Sequence, residues 1–348
     1  MSQPQPAPAM RPNPRQLVDF FARSLSAFQS SRDPLRVLCT LPHGGSRANS
    51  NIGDLGAEPA PRRPRGPVRS LIVLDSSFNP PTRAHAQMVR SAVRDAERGR
   101  EPGGATTRVM LLLAVNNADK APKPASFPVR LCMMEAFARE LLGREGAARD
   151  APAPQGTELH DARIEVDVAV TTMPYFHDKA GAIATSGFYG QGGDDVPEQV
   201  FLAGYDTLIR IFNPKYYGGE QDSSDGSPAA RQGRETPMQA ALGPFFARAR
   251  LRVTTRPDDG WGGLEEQREY VRALDEGGKL DAVGGKGEWA RRVDVVGGGG
   301  GADDGDMAGV SSSRARDVVR ERKEDGELVR LVGEEVRAWI EREDLYRE

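Results

Sequence analysis

The sequence predicts an α/β protein built on a doubly wound parallel sheet. From Val68 onward, short apolar runs typical of buried strands alternate with stretches whose apolar residues recur at helical spacing. This alternation favours parallel strands joined by right-handed crossover helices. A chain of 348 residues is long enough for one large domain or two ordinary ones. We expect roughly six strands, a normal number for such a sheet.

Residues 1–67 precede this pattern, and we expect them to form a Pro-rich tail, an amphipathic helix and a flexible linker. The apolar residues that recur at helical spacing are Leu17, Phe20, Phe21, Leu25 and Phe28. This stripe is expected to pack on the main body of the protein. The alternative is that it binds a protein partner or a second copy of the chain. Residues 42–67 have almost no large apolar side chain and are predicted to be the linker.

The main domain is expected to span residues 68–348 and to begin with two strand-helix units. A strand near residues 69–75 leads into a helix. A strand over residues 109–115 leads into a second helix from about Pro128, because proline suits a first helical turn. Later strands are expected at 164–170, 200–203, 251–255 and 292–296, and later helices at 207–212, 265–274 and 311–319. Loop insertions are expected near 218–235, 277–288 and 297–309.

Composition excludes several classes of function. The 47 Lys and Arg residues against 50 Asp and Glu give a net charge of −3, so nucleic acid is not expected as the main partner. The two cysteines, Cys39 and Cys132, are far from a C-x-x-C spacing, which disfavours a disulfide framework or a structural zinc site. The sequence has no run of about 18 apolar residues, so it predicts no membrane span. We expect a soluble protein of the cytosol or nucleus.

The most informative segment follows the first predicted strand of the main domain. The apolar run Leu71–Leu74 leads to Ser77 and Phe78. An N-P-P turn then delivers Thr82 and His85 to the start of a helix, where backbone N–H groups and the helix dipole favour phosphate. The segment therefore predicts a phosphate-binding turn that carries a catalytic histidine. The plainer interpretation is a strand-to-helix loop with one incidental histidine.

Two further polar clusters follow later strands. Lys120 and Arg130 come after the second strand of the main domain, among prolines, and solvated surface charge is the plainer account of them. Gly204 ends another strand, where a glycine permits close approach of a ligand, and Asp206 follows it. Asp206 could instead cap the next helix.

The fourth cluster opens a late helix. Hydroxyls at Ser311, Ser312 and Ser313, with Arg316 one turn later, would hold a polyphosphate by charge-assisted hydrogen bonds. An N-cap serine followed by surface arginines is the alternative. Open α/β sheets bind ligands in the crevice at the carboxyl ends of their strands. We therefore expect the four clusters to form one site.

These motifs make the chain resemble the nucleotidylyltransferases, specifically the nicotinamide mononucleotide adenylyltransferase family and most of all its fungal branch. The family motif G-S-F-N-P-x-T-x-x-H is matched from Ser76 to His85, with Ser76 in place of the glycine. The late motif I-S-S-T-x-x-R is matched from Val310 to Arg316. The resemblance implies a Rossmann-like doubly wound sheet of the nucleotidylyltransferase type, and the predicted N-terminal helix is an extension that lies outside the resemblance.

Weaker matches extend the resemblance over roughly residues 68–346. They are the G-x-D step at Gly204, the stretch Val253–Pro257 near the family's adenine site, and the C-terminal helix followed by Leu345 and Tyr346. Ala84 departs from the wider H-x-G-H signature, as Ser76 departs from the family motif. These two departures indicate a divergent member.

The resemblance implies a reaction. AMP would pass from ATP to nicotinamide mononucleotide, forming NAD and pyrophosphate without a covalent enzyme intermediate. The attacking phosphate is already ionised at neutral pH, so catalysis reduces to positioning and charge stabilisation. Mg²⁺ is expected to enter with ATP, held chiefly by phosphate and water rather than by protein ligands.

The resemblance also implies roles for residues of the four clusters. His85 would contact the α-phosphate, Thr82 would position groups there, and the backbone N–H groups around Ser77 and Phe78 would bind phosphate. The residues implied at the β and γ phosphates are Ser312, Ser313 and Arg316. The residues implied at the mononucleotide are Lys120, Arg130, Gly204, Asp206 and Arg256.

Two alternatives stay open at this point. The acceptor could be nicotinate mononucleotide, phosphopantetheine or another phosphorylated alcohol. The protein could also be an adaptor that binds or hydrolyses ATP at a divergent site while its N-terminal helix recruits a partner.

Overall fold

The computed structural model describes residues 13–42, 59–98, 105–115, 124–143, 164–190, 196–217, 235–255, 262–276, 278–297, 307, 309–322 and 325–347. These residues form a seven-stranded sheet with helices on both faces. The strands are β1 (Leu35–Leu41), β2 (Val68–Asp75), β3 (Thr106–Ala114), β4 (Glu165–Thr171), β5 (Glu198–Gly204), β6 (Ala249–Thr254) and β7 (Val293–Val296). The helices are α1 (Pro14–Gln29), α2 (Arg83–Glu97), α3 (Phe127–Leu141), α4 (Phe176–Thr185), α5 (Tyr205–Ile211), α6 (Pro237–Arg248), α7 (Leu264–Glu276), α8 (Lys279–Ala282), α9 (Ser312–Arg320), α10 (Asp325–Leu331) and α11 (Glu334–Arg342).

The strand order is β1-β4-β3-β2-β5-β6-β7, in which β1 is antiparallel to β4 and the other neighbours are parallel. Numbered among themselves, the six parallel strands run 3-2-1-4-5-6, which is the doubly wound order. The predicted fold class is confirmed. The direction of winding reverses between β2 and β5, so the crevice beyond the carboxyl ends of these two strands is where such a sheet binds ligands.

The central strands are apolar on both faces because helices cover both. Along β2, Leu71 and Val73 are buried beneath α4–α8, whereas Ile72 and Leu74 are buried beneath α1–α3 and α9–α11. Successive strand residues point to opposite faces, so a continuous apolar run is what this position requires.

The N-terminal helix packs on the main body, as its apolar stripe predicts. Leu17, Phe21, Leu25 and Phe28 are buried in the core, where α1 packs against α3. The strand that follows, β1, was not predicted, and it extends the sheet by pairing with β4. Residues before position 67, which the sequence-based division leaves outside the sheet domain, therefore form part of it.

A buried ion pair joins this N-terminal strand to the sheet. The Arg108 Nε atom on β3 donates to Asp167 Oδ2 on β4 at 2.7 Å, and both side chains are almost fully buried. Thr40 on β1 donates to Asp167 Oδ1 at 2.6 Å, and Tyr189 donates to Oδ2 at 2.7 Å. The Arg62 carbonyl accepts from Arg108, which ties part of the expected linker to β1 and β3.

The expectation of a surface loop at 277–288 is wrong. Residues 279–282 form α8 and residues 287–292 form a 3-10 helix, and Leu280 and Trp289 within them are buried. Trp289 stacks on Phe246 of α6 with ring centroids 5.1 Å apart. The glycine-rich composition of this segment made it resemble a loop, so the packing of its buried side chains was not predicted. The other two expected insertions lie almost entirely outside the described residues.

The remaining elements follow the predicted order, with α4, α6 and α10 added. The helix α6 was not predicted, since Gly243 and Pro244 are typical helix breakers. No helix in the described ranges combines the length and the apolar character that a bilayer span needs.

Candidate functional site

His85 is held at both ring nitrogens at the start of α2. The Thr82 backbone N–H donates to His85 Nδ1 at 3.0 Å, in a capping-box arrangement with His85 in the third helical position. Because a backbone N–H can only donate, Nδ1 must be the unprotonated nitrogen of a neutral imidazole, and Nε2 carries the hydrogen. The Ser76 Oγ atom lies 3.1 Å from Nε2 and accepts this hydrogen. The Thr82 hydroxyl lies 2.8 Å from Nδ1.

The turn between β2 and α2, residues 76–82, has an unusual backbone. Phe78 has a φ angle of 46°, in the left-handed region that a bulky side chain rarely adopts, and its ring is fully buried. Such a conformation persists only where surrounding structure enforces it, and it occurs often at functional sites. The 76–82 turn is therefore anchored from within by Phe78, while Ser77 beside it is exposed.

The late serine cluster docks directly on this turn. Ser312 at the start of α9 donates to the Pro80 carbonyl at 2.7 Å, and Arg316 donates to the Asn79 carbonyl at 2.8 Å. Arg316 also donates to Ser313 Oγ at 3.0 Å. The two motifs, more than 230 residues apart in the chain, thus meet at one edge of the sheet. The expected juxtaposition of the first and fourth clusters is what the structure shows.

Arg130 lies close to the same group of residues. Its Nε atom donates to the Ala125 carbonyl at 2.9 Å, and only 8% of the residue is exposed. Burial lowers the pKa of Arg130, and the nearby Arg316 charge lowers it further. Two guanidinium groups therefore share one partly buried region, which is a favourable environment for an anion although the chain as a whole is slightly acidic.

Gly204 ends β5, the strand beside β2, and Asp206 follows it. Leu202 pairs with Leu74, so Gly204 and Ser76, each two residues further on, lie at the same edge. A Cβ atom at Gly204 would lie 2.8 Å from Asp206 Oδ1, so the glycine lets this carboxylate lie against the backbone. Gly204 is the N-cap of α5 and Asp206 lies in its first turn, so Asp206 is not the cap.

An ion pair at the end of β2 was missed by sequence reasoning. Asp75 directly precedes Ser76 and accepts a hydrogen bond from Lys179 of α4, and both side chains are largely buried. Burial raises the pKa of Asp75, and the Lys179 ammonium opposes that rise. The sequence signal that could have found it is the Asp75 carboxylate, which ends an apolar run.

Two expected site residues, Lys120 and Arg256, lie outside the described residues. Within the part of the chain that the structure describes, no three His, Cys, Asp or Glu side chains cluster as metal ligands.

The strand order and the position of these residues at the switch point define a Rossmann-like α/β protein. No family model matches the chain. The resemblance to the nicotinamide mononucleotide adenylyltransferases is confirmed by a curated protein of Schizosaccharomyces pombe named "Putative nicotinamide mononucleotide adenylyltransferase". The two proteins are 29% identical over 252 residues, which cover 72% of this chain and 76% of the relative.

Solved structures were also compared with this chain. The nicotinic acid mononucleotide adenylyltransferase of Plasmodium falciparum complexed with APC matches with a TM-score of 0.45 and 10% identity, over 80% of this chain and 97% of that one. The same enzyme complexed with NaAD gives a TM-score of 0.45 and 11% identity over the same shares of the two chains.

Proposed function

We propose that this protein transfers AMP from ATP to nicotinamide mononucleotide and so forms NAD and pyrophosphate. The observation that carries the proposal is the docking of Ser312 and Arg316 on the 76–82 turn. It brings the start of α9 and the start of α2, two helix N-termini, to the switch point of the sheet. The name of the Schizosaccharomyces pombe relative supports the choice of reaction.

The reaction asks for positioning and charge stabilisation more than for proton transfer. The mononucleotide phosphate is ionised at neutral pH, so it can attack the α-phosphorus without a general base. A neutral imidazole with its hydrogen on Nε2 can support a hydrogen-bond donor for developing negative charge without first losing or gaining a proton. In this proposal the 76–82 turn and His85 serve the α-phosphate.

In this proposal, residues at the start of α9 bind the β and γ phosphates. Ser313 is exposed at the first turn of α9, and Arg316 already donates to its hydroxyl. A guanidinium held in this way loses little side-chain freedom when it binds phosphate. Arg130 and Asp206 are proposed to bind the mononucleotide, together with Lys120 and Arg256. Gly204 lets the Asp206 carboxylate lie against the backbone.

Mg²⁺ is proposed to come with ATP. When bound, it neutralises charge on the polyphosphate and its leaving group. In this proposal the cation is held chiefly by phosphate oxygens and water rather than by protein ligands.

The test is to incubate the purified protein with Mg·ATP and nicotinamide mononucleotide and to quantify NAD and pyrophosphate. We expect both products in equal amounts. Nicotinate mononucleotide, run in parallel, measures preference for the acceptor. ATP binding without a dinucleotide product from either acceptor would contradict the proposal and favour an adaptor.

Variants of His85 make this test specific. His85→Ala removes the ring, whereas His85→Asn keeps an oxygen where Nδ1 accepts from Thr82 and lacks the Nε2 donor. We expect both variants to lose about 100-fold or more in kcat. The His85→Asn variant should keep the thermal midpoint of the wild type, because the cap of α2 is preserved. Near-normal turnover in His85→Asn would remove the imidazole from the mechanism.

Arg316 offers a second variant with a matched control. Arg316→Ala should raise KM for ATP more than KM for the mononucleotide. Arg320→Ala, one turn later on α9, removes an exposed arginine that pairs with Asp317 and should change neither constant. Equal effects of Arg316→Ala on both substrates would contradict its place at the β and γ phosphates.

A further inference from the structure

We propose that the Ser76 hydroxyl, rather than the His85 imidazole, contacts the α-phosphate oxygen, and that His85 acts through Ser76. The inference rests on the proposed function for the identity of the ligand. It starts from one contact, the 3.1 Å separation of Ser76 Oγ and His85 Nε2.

The direction of the hydrogen bond follows from the other side of the ring. The Thr82 backbone N–H donates to Nδ1, so the neutral imidazole carries its hydrogen on Nε2. Ser76 Oγ is then the acceptor of this hydrogen. A serine hydroxyl that accepts one hydrogen bond still has its own hydrogen to donate. The pair therefore presents an O–H donor at the end of β2.

Both members of the pair are fixed to rigid elements. The Ser76 backbone N–H donates to the Leu112 carbonyl at 3.3 Å, which continues the pairing of β2 with β3. The ring of His85 is fixed by the cap of α2. For the imidazole to reach a phosphate oxygen directly, Nε2 would have to give up Ser76. A ligand that bonds to the Ser76 hydroxyl keeps every existing contact.

The arrangement also makes chemical sense for an anion. A hydroxyl that accepts from an imidazole N–H becomes a better donor, because successive hydrogen bonds polarise one another. No proton has to move. The acceptor phosphate oxygen forms a bond to the α-phosphorus, the bond from the α-phosphorus to the bridging oxygen breaks, and pyrophosphate leaves with that electron pair. Ser76 stabilises the charge on the α-phosphate oxygens, and His85 orients and polarises Ser76.

The experiment is a double-mutant cycle with Ser76→Ala, His85→Asn and the double variant. We expect each single variant to lower kcat about 100-fold, as removal of an oxyanion donor does in other enzymes. The double variant should lie within about twofold of the slower single variant, because residues that act as one unit are not additive. Ser76→Thr keeps a hydroxyl and should recover most of the rate, whereas Ser76→Gly should be as slow as Ser76→Ala.

The opposite result is equally clear. If His85 contacts the phosphate directly, Ser76→Gly will match or exceed the wild type, and His85→Asn will keep its full effect in the Ser76→Ala background. Either outcome overturns the inference. Thermal midpoints of all variants exclude loss of folding as the cause of a low rate.

A second measurement separates this inference from the proposed function. The wild type, the two single variants and the double variant are titrated with Mg·ATP alone, and the dissociation constants form the same cycle. Suppose that the wild type makes no dinucleotide but the variants lose ATP affinity non-additively. That result would overturn the proposed function and support the Ser76 contact. Additive losses, or no loss on Ser76→Ala, would overturn the contact whatever the reaction. A wild type that does not bind Mg·ATP would overturn both.

Discussion

The Tyr346 hydroxyl donates a 2.8 Å hydrogen bond to Oδ1 of Asn79, which joins the segment after α11 to the 76–82 turn. Tyr346 is 4% exposed, and its φ angle of 68° lies in the left-handed region. Arg316 donates to the backbone carbonyl of the same Asn79. Asn79 is thus held at its side chain by one element and at its main chain by another, which fixes the turn that precedes His85.

Tyr346→Phe is predicted to slow turnover with little effect on folding. The variant removes one hydrogen bond of about 1 kcal/mol and leaves the buried ring in place. We expect kcat to fall about fivefold through looser positioning of the turn. Steady-state kinetics and thermal unfolding of the variant measure the two effects. Tyr216→Phe is the control, since Tyr216 is exposed and distant in the chain from the turn. A stability loss with unchanged kcat would make the contact purely structural.

Gly204→Ala is predicted to impair activity by displacing Asp206. The added Cβ would lie 2.8 Å from Asp206 Oδ1, so the carboxylate must rotate away. We expect activity to fall to the level of Asp206→Ala, with a stability change of about 1 kcal/mol or less. Gly243→Ala is the matched control, because a Cβ there meets nothing within 4 Å inside α6. It should keep activity and raise stability by about 0.5–1 kcal/mol. Full activity in Gly204→Ala would remove the Asp206 position from the site.

The parallel sheet could be predicted from the sequence because its signal is local. The strands β2 and β3 are continuous apolar runs, and the helices after them show an apolar face with helical spacing. The strand β1 was missed although Leu35–Leu41 is itself a largely apolar run. Its pairing partner β4 lies about 130 residues further along the chain, so its place at the edge of the sheet could not be predicted from the sequence.

The candidate site was predictable in its parts but not in its contacts. The doubly wound order brings the ends of β2 and β5 together, so Ser76 and Gly204 at one edge follow from topology. The hydrogen-bond partner of each His85 nitrogen does not follow from topology, because it depends on the side-chain rotamer that the cap of α2 enforces. The Tyr346 contact spans 267 residues, and no periodicity or spacing reports such a contact.

Asp167→Asn is predicted to destabilise the fold by about 3–5 kcal/mol, because it leaves the buried Arg108 guanidinium without its main counter-charge. Asp167 lies in the amino-terminal half of β4, away from the carboxyl edge, so kcat of the folded protein should not change. Urea unfolding measures the loss. Glu269→Gln breaks an exposed pair with Arg272 and should cost about 0.5 kcal/mol or less. Similar losses in both variants would show that the buried pair contributes no more than a surface one.

Glu140→Gln is predicted to flatten the pH dependence of stability. Glu140 of α3 accepts a 2.6 Å hydrogen bond from the Glu335 backbone N–H at the start of α11, and Gly333 leaves the room for its carboxylate. Burial raises the pKa of Glu140 despite the hydrogen bonds that it accepts. The folded protein therefore holds this proton more tightly than the unfolded chain does.

A raised carboxyl pKa fixes the sign of that pH effect. The contribution of Glu140 to stability is fully present below its unfolded pKa and is lost as the pH rises through its folded pKa. Glutamine keeps an acceptor for the Glu335 N–H but cannot ionise, so Glu140→Gln should gain stability relative to the wild type as the pH rises above about 4.5. Urea unfolding of both proteins from pH 4.5 to 8 measures this difference, in which other titrating groups cancel. Glu341→Gln, on the exposed side of α11, should show no such gain. A constant difference between Glu140→Gln and the wild type across the whole range would mean that Glu140 titrates alike in the folded and unfolded chains.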